Sequence, residues 1–407
     1  MDRTPITVAG QRVGTTHPLN SLPAESPGHD PAQALYIHIP FCFHKCHYCD
    51  FYSIVDTRDR QEAFTTRLIA ELAHLAPYAG HLTSIFVGGG TPTLLRPKLW
   101  QRLLDALHER YDLDGAEFTV ECNPETATAE LFDVLVRGGI NRLSIGAQSF
   151  NRTHLETLER WHDPDNVGKA IDLARKAGIT RQSVDLIFAI PGQTLSQWEA
   201  DLKQAVMLGV EHLSCYALTY EPNTAMTARL RRGDFDAADE DLEADMMLRT
   251  VELLRVAGLD RYEVSNYARA GAECRHNLAY WRQEDWLAAG PSASGHFRGW
   301  RWKNVPRLDT YLGGEGASGP PPAVDVEAPD PRRAIAERIM TGLRLREGLD
   351  ANDLLNAVDP ATAESLRTHV RRLVGRGHLH DDSHRWCLTG AGMMLADGIA
   401  SELMSLV

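Results

Sequence analysis

The sequence contains no apolar run that approaches the roughly 20 residues a membrane-spanning helix requires, so we expect no integral membrane segment. Its first residues, Met1 to Pro5, begin no apolar stretch, so we also expect no secretory signal peptide. Basic residues are outnumbered, 42 against 55 acidic ones, and the formal net charge of the 407 residues is -13. Because nonspecific nucleic-acid binding depends on neutralising phosphates, we expect no nucleic-acid partner.

Cysteine is also scarce, with seven residues in the whole chain. That number is too small for a disulfide scaffold of this size, and three of the seven lie between positions 42 and 49. This usage indicates a cytoplasmic protein whose clustered thiols bind metal rather than form cross-links.

What the sequence does contain is a repeated alternation of strand and helix patterns. Short apolar runs typical of buried strands alternate with stretches of helical periodicity, such as Phe64 to Leu75. The strand-like runs cover residues 34–40, 82–87, 117–121, 142–146, 183–188 and 212–217. The pattern predicts an α/β fold in which a partial (β/α)6 TIM-like barrel carries its active site at the carboxyl ends of the strands.

Composition divides the chain into five parts. Residues 1–32 contain five prolines and no periodicity, which predicts a flexible tail before a core of residues 33–270. Residues 271–312 contain four of the eight tryptophans, and residues 313–330, rich in Gly, Pro and Ala, are typical of a linker. Residues 331–407 alternate helices with a short strand–turn–strand, which predicts a mainly helical, winged-helix-like module.

The sharpest motif follows the first predicted strand. Cys42, Cys46 and Cys49 form a C-x3-C-x2-C array on one short loop. Three thiolates can hold three corners of an iron–sulfur cluster and leave one iron free to bind a substrate or cofactor. A structural zinc site closed by His44 or His47 as the fourth ligand is the alternative that spacing alone leaves open.

Polar residues and glycines follow the other predicted strands. Gly89, Gly90 and Thr91 follow the second strand, and glycines there let a ligand approach the backbone closely. Two acids, an amide and a guanidinium at later strand ends suit a ligand with ribose hydroxyls, an amine and a carboxylate. These residues are Glu121, Gln148, Arg160 and Asp185, each of which could instead cap a helix or form a surface ion pair.

The cysteine array, the preceding residues Tyr36 to Phe41 and the segment Gly88 to Thr93 together resemble the radical S-adenosylmethionine (SAM) superfamily. The resemblance implies that the three cysteines hold a [4Fe-4S] cluster whose free iron chelates the amine and carboxylate of SAM. One electron from such a cluster cleaves SAM to a 5′-deoxyadenosyl radical. The positions that match the SAM contacts of the superfamily are Tyr36, Tyr48, Gly89, Gly90, Thr91, Glu121, Gln148, Arg160 and Asp185.

Within the superfamily the sequence resembles the branch that contains oxygen-independent coproporphyrinogen III oxidase and the HemW-type haem chaperones. The oxidase has a further cysteine two residues after the third cluster ligand, where this chain has Phe51. His276, Asn277, Tyr280 and Trp281 instead match the H-N-x-x-Y-W motif associated with haem binding in the chaperones. A neutral imidazole can ligate haem iron, although the same four residues could also form a core helix face with a hydrogen-bonded His276. His296 is a weaker candidate ligand.

The resemblance therefore implies a haem chaperone with three cofactors or ligands: a [4Fe-4S] cluster, SAM and haem. Its implied partners are a haem donor such as a haem-storing ferritin and membrane haem enzymes as recipients. It also implies a cytoplasmic protein, with or without peripheral membrane association, and a homodimer. A coproporphyrinogen oxidase, a radical SAM methyltransferase and a zinc-structured binding module are the alternatives, and the sequence assigns no catalytic residue.

Overall fold

The computed structural model describes residues 17–24, 28–313, 318–382 and 384–407. Strands and helices alternate along the chain, as the sequence predicts, up to residue 217 and follow no regular order after it. The strands are β1 (Ala32–Ile39), β2 (Ala79–Gly89), β3 (Glu117–Cys122), β4 (Arg142–Gln148), β5 (Arg181–Phe188), β6 (His212–Ala217), β7 (Asp260–Arg261), β8 (Asn266–Ala268), β9 (Trp286–Ala289), β10 (Ser294–Phe297), β11 (Trp300–Asn304), β12 (Ala323–Glu327), β13 (Leu349–Asp350), β14 (Leu379–Asp381) and β15 (Arg385–Leu388). The helices are α1 (Gln61–Leu75), α2 (Pro97–Arg110), α3 (Ala129–Arg137), α4 (Arg152–Thr157), α5 (Asp165–Ala177), α6 (Leu195–Met207), α7 (Ala225–Arg232), α8 (Glu240–Val256), α9 (Arg275–Trp281), α10 (Leu308–Leu312), α11 (Pro331–Gly342), α12 (Ala351–Asn356), α13 (Pro360–Gly375), α14 (Gly390–Met393) and α15 (Ala396–Met404).

One large sheet organises the chain, in the order β12-β11-β10-β9-β1-β2-β3-β4-β5-β6-β8-β7. Strands β1 to β6 are parallel neighbours in chain order, which is the predicted (β/α)6 unit. β1 pairs on its other side with β9 and β6 pairs with β8, so the sheet stays open. The expectation of a partial rather than a closed barrel is therefore confirmed.

Alternation along the strands separates an apolar outer face from a polar interior. On β4, Leu143 and Ile145 are fully buried against the surrounding helices. The alternate residues Arg142, Ser144 and Gly146 line an internal cavity instead. Because side chains alternate between the two faces of a strand, this one pattern builds both the core and the wall of the site.

Part of the predicted tail is packed against the core, so the expectation of a flexible 1–32 segment is wrong for residues 17–24. Leu19 is 1% exposed, and the Tyr78 hydroxyl donates a hydrogen bond to its carbonyl at 2.7 Å. His17 is also buried and contacts the ring of Trp302. Residues 1–16 and 25–27, which the prediction also covered, lie outside the described residues.

The predicted aromatic segment and linker continue the large sheet. β9 pairs with β1 in parallel, and β10, β11 and β12 extend the sheet by antiparallel pairing. β12 falls inside the predicted 313–330 linker, so that expectation is wrong for residues 323–327, and Ala323 there is fully buried. Residues 314–317 of the predicted linker lie outside the described residues.

The C-terminal part forms a second, smaller core. Helices α11, α12, α13 and α15 surround a three-stranded sheet of order β13-β15-β14. Leu366, Leu373 and Trp386 are buried in this core. Helices beside a small antiparallel wing match the predicted winged-helix-like arrangement. In the described ranges, no helix combines the length and apolarity needed to cross a membrane.

Candidate functional site

A cavity of about 700 Å³ lies inside the curved sheet, between the cysteine loop and helix α9. This volume falls in the range of roughly 300–1,000 Å³ that is typical of small-molecule sites. Most of the residues predicted from strand ends line the same cavity: Tyr36, Tyr48, Cys49, Gly89, Gly90, Thr91, Glu121, Gln148, Arg160 and Asp185. Residues that follow different strands thus meet at one place because the carboxyl ends of parallel strands share an edge.

The loop after β1 carries the three half-buried, free cysteines. The Cys42 amide donates to the Ile54 carbonyl at 2.9 Å, which closes the loop at its base. The Cys42 thiol lies 3.6 Å from the Thr91 hydroxyl, and the Arg160 guanidinium lies 3.8 Å from the Cys46 sulfur. Burial raises the pKa of the Cys49 thiol to about 11, so binding a metal there must displace protons. Three thiols beside one guanidinium fit an anionic, three-ligand cluster.

The two histidines of the cysteine loop fit the zinc alternative poorly. Structural zinc is held by four donors, so His44 or His47 would have to join the three cysteines. The His44 ring stacks on Trp161 with centroids 3.9 Å apart. Nδ1 of His47 accepts a hydrogen bond from Arg229 at 3.4 Å. Both histidines that could close a zinc site therefore have other contacts.

The glycines after β2 form a backbone cradle. Gly89 has φ +112°, and a Cβ placed there would lie 2.6 Å from the His38 ring. A Cβ on Gly90 would lie 2.7 Å from the Phe41 carbonyl, and the Gly90 amide donates to the Ile39 carbonyl at 2.8 Å. These contacts hold the ends of β1 and β2 close together with no room for side chains, so that a ligand can approach the backbone closely.

Two acids stand on neighbouring walls of the cavity. Glu121 accepts a hydrogen bond from the Gly89 amide at 3.0 Å, and burial together with the nearby Asp185 raises its pKa to about 7. Asp185 accepts hydrogen bonds from the Ser144 hydroxyl at 3.1 and 3.0 Å, and burial raises its pKa. Both carboxyls can accept hydrogen bonds from hydroxyls or an amine of a ligand.

Arg160 and Tyr48 connect the cysteine loop to the rest of the cavity wall. The Arg160 guanidinium donates to the Gly146 carbonyl at 3.0 Å as well as approaching Cys46. Tyr48 packs against an apolar group that includes Ile187 and Leu218, which leaves a flat aromatic surface beside the cysteines. Gln148 has φ +63°, a left-handed conformation held at the end of β4. An adenine-sized aromatic group fits against the flat surface that Tyr48 provides.

Helix α9 brings three of the four predicted haem-binding residues to the opposite wall: His276, Asn277 and Tyr280. His276 is 1% exposed, its Nδ1 lies 3.0 Å from the Ser84 hydroxyl, and its Nε2 lies 3.0 Å from the Tyr280 hydroxyl. Its ring stacks on Phe86 at 5.5 Å. Burial lowers the pKa of His276 to about 3, so the imidazole is neutral at pH 7.

The fourth residue of the motif, Trp281, and the weaker candidate His296 lie elsewhere. Trp281 lines a separate crevice of about 160 Å³ against the C-terminal part, where Arg344 lies over its ring at 5.9 Å. His296 is packed against Trp286 at 4.9 Å, and its Nδ1 is bonded to the Glu284 carbonyl at 3.1 Å. Trp281 is the last residue of α9 and faces the C-terminal part, so the Tyr280 and Trp281 rings do not share one cavity.

The cavity also has lining residues that the sequence reasoning missed, among them Arg142, Ser144, His212 and Ser214. Arg142 begins β4, and His212 begins β6, so both lie at the amino ends of their strands. The rule that places sites at carboxyl ends does not select them. Arg142 lies two residues before Ser144, and His212 lies two residues before Ser214, so each pair lies on one face of its strand. This alternation of faces is the signal that could have predicted them.

Two protein families match parts of this chain. Residues 36–205 match the radical SAM superfamily, and residues 330–395 match the HemN C-terminal domain. A solved structure of the coproporphyrinogen III oxidase HemN from Escherichia coli has a TM-score of 0.79 at 23% identity, and the match covers 93% of this chain and 91% of that one. The chain is a member of the radical SAM superfamily, which uses SAM and a [4Fe-4S] cluster.

Curated relatives define the group more narrowly. The heme chaperone HemW of Lactococcus lactis is 32% identical over 370 residues, which cover 91% of this chain and 96% of that protein. The heme chaperone HemW of Mycobacterium tuberculosis is 35% identical over 394 residues, which cover 94% and 98%. The chain therefore belongs to the HemW family, which confirms the resemblance seen in the sequence.

Proposed function

We propose that the protein is a haem chaperone that binds haem at the α9 wall of the cavity and passes it to other proteins. The observation that carries the proposal is the position of His276, Asn277 and Tyr280 on the same cavity as the residues matched to SAM. Membership of a family whose relatives are named heme chaperones supports it. A haem-storing ferritin as donor and membrane haem enzymes as recipients complete the proposal.

The cysteine loop would hold the cluster through Cys42, Cys46 and Cys49, and the rim would hold SAM. When bound, the cluster supplies a free iron for SAM and an electron for its cleavage. The chain's own groups would orient SAM: Glu121 and Asp185 would accept hydrogen bonds from its hydroxyls and amine, and the Gly89–Gly90 cradle would let it approach the backbone closely. Arg160, beside Cys46, would offset the negative charge of the thiolates.

Phe51 favours a haem chaperone over a porphyrinogen oxidase. It stands where the oxidase has a further cysteine, and its side chain is 68% exposed at the cavity mouth. An exposed aromatic ring offers an apolar surface to a flat macrocycle and no thiol chemistry.

The test is an anaerobic incubation of the cluster-reconstituted protein with SAM, a reductant and coproporphyrinogen III, run beside a haem-transfer assay to an apo-haemoprotein. The proposal predicts haem transfer without a decarboxylated porphyrinogen. Deoxyadenosine formation coupled to decarboxylation, or to methylation of an added substrate, would contradict it.

A further inference from the structure

The cavity floor holds a buried arginine with two guanidinium nitrogens that lack hydrogen-bond partners. Arg142, the first residue of β4, is 1% exposed and lines the cavity. In the described part of the chain, neither its Nε nor its Nη2 has a hydrogen-bond partner. Glu117 and Asp185 attract it only at longer range. A buried guanidinium with unused donors is costly, so this position favours a bound anion.

A second buried polar atom without a partner lies beside Arg142 in the sheet. Thr119 lies directly opposite Arg142 in the β3–β4 register, is fully buried, and its hydroxyl likewise has no partner among the described residues. It points to the same side of β3 as Glu121, two residues further along, which lines the cavity. Two adjacent strands therefore carry unused donors side by side on the inner face of the sheet.

Neighbouring groups with similar chemistry are already paired. Arg181, the register partner of Arg142 on β5, contacts Glu117 at 2.9 Å and Glu211 at 3.1 Å. His212, which also lines the floor, has both ring nitrogens occupied, by the Ser183 and Tyr262 hydroxyls. At the floor, the donors left unused are therefore those of Arg142 and Thr119, while the Nε of Arg160, which also lacks a partner among the described residues, lies at the rim beside the cysteine loop.

We propose that Arg142, assisted by Thr119, binds a carboxylate of the molecule that occupies the cavity. A guanidinium pairs with a carboxylate through two parallel N–H···O bonds, and a hydroxyl can donate a third. Arg142 lies four residues before Gly146, or about 13 Å along β4 from the rim. A long ligand with a carboxylate at one end would reach from the rim to this floor.

The inference rests on the proposed function, because haem is a flat ligand with two propionate carboxylates. SAM also has a carboxylate, but the superfamily resemblance places that group on the cluster at the opposite end of the cavity. The haem propionate is therefore the source we favour, and the experiment separates it from SAM.

The test measures the affinity of the full, cluster-reconstituted chain for haem, for haem dimethyl ester and for SAM. Arg142→Lys keeps the charge and removes the planar fork, and Arg181→Lys is the matched control on the next strand. We expect wild type to bind haem at least tenfold more tightly than the ester. Arg142→Lys should weaken haem binding by a similar factor and leave the ester unchanged, while Arg181→Lys changes neither.

Equal affinities of wild type for haem and for its ester, with SAM binding unaffected by Arg142→Lys, would overturn the inference. If Arg142→Lys weakens the binding of SAM alone, Arg142 binds a carboxylate, and that carboxylate belongs to SAM rather than to haem. If wild type binds no haem, the proposed function fails, while the SAM arm still tests Arg142. Should Arg142→Lys not fold, judged by thermal unfolding, the comparison of haem with its ester on wild type decides the matter.

Discussion

The hydroxyl of Tyr280 lies 3.0 Å from Nε2 of His276, one helical turn away in α9. When the Nδ1–H of His276 donates a hydrogen bond to the Ser84 hydroxyl, the Nε2 lone pair accepts a hydrogen bond from the Tyr280 hydroxyl. That lone pair is also the one that an iron ligand would need. Tyr280 therefore holds His276 in a state from which haem can bind only after one hydrogen bond breaks.

Tyr280→Phe should strengthen haem binding. Removing the hydroxyl leaves the Nε2 lone pair without a competitor, and a hydrogen bond of this kind contributes about 0.5–1.5 kcal/mol net. We expect the dissociation constant of haem to fall by about two- to tenfold in an equilibrium titration. Tyr111→Phe is the matched control, since its hydroxyl donates to the Leu72 carbonyl at 2.7 Å and it does not line the cavity. Weaker haem binding by Tyr280→Phe would show that the hydroxyl supports haem.

Glu121→Gln should change how stability depends on pH. The carboxyl has a pKa of about 7 when folded and an ordinary value of 4.5. Between these values the unfolded chain loses the proton first, so the contribution of Glu121 to stability is full below 4.5 and is lost as the pH rises through 7. Denaturant unfolding at pH 5 and pH 8 should show the variant gaining about 1–3 kcal/mol on wild type over that range.

Glu263→Gln gives the matched comparison, because burial also raises the pKa of Glu263 to about 7 but it does not line the cavity. Added SAM should reduce the pH dependence of stability that Glu121 causes, and it should not change the pH dependence that Glu263 causes. A difference between wild type and Glu121→Gln that stays constant from pH 5 to pH 8 would contradict the assignment.

Gly89→Ala should abolish SAM binding and destabilise the protein. The left-handed φ of +112° and the approach of the His38 ring both exclude a Cβ, and backbone strain of this kind costs about 1–3 kcal/mol. Gly115→Ala is the control, because Gly115 has φ +64° but a Cβ added to it would meet nothing within 4 Å. Calorimetry with SAM should separate the two: strain alone would lower the melting temperature of both and leave SAM binding by Gly115→Ala intact.

Cys46→Ala should lose the cluster, while Cys122→Ala keeps it. Cys122 is buried and lines the same cavity, but it lies on β3 away from the cysteine loop. Anaerobic reconstitution of wild type should yield about four iron and four sulfide per chain. Zinc in place of iron in freshly purified protein, or equal iron in both variants, would revive the zinc alternative.

The strand and helix alternation was predictable up to β6 because each strand is buried and bounded by its own helix. Glu117–Cys122 and His212–Ala217 were expected within a residue at each end. β9 was not expected, since it is only four residues long and pairs with β1, about 250 residues earlier in the chain. Periodicity is a local signal and does not report pairings of that separation.

The site was predictable where chemistry follows a strand, as at Glu121 and Gln148. The position of Trp281 was not, because the motif groups four letters without saying which face of α9 each occupies. The packed segment around Leu19 was missed for a similar reason. Its proline-rich composition indicates a loop, and only the distant Tyr78 hydroxyl gives that loop a partner.

An anaerobic haem titration followed by the Soret band shows whether haem binds at His276. Cluster-reconstituted wild type should bind haem saturably, and His276→Ala should weaken that binding at least tenfold. His296→Ala, whose ring is packed outside the cavity, should bind as wild type does. Saturable binding that His276→Ala leaves unchanged would contradict the account and place the haem ligand elsewhere.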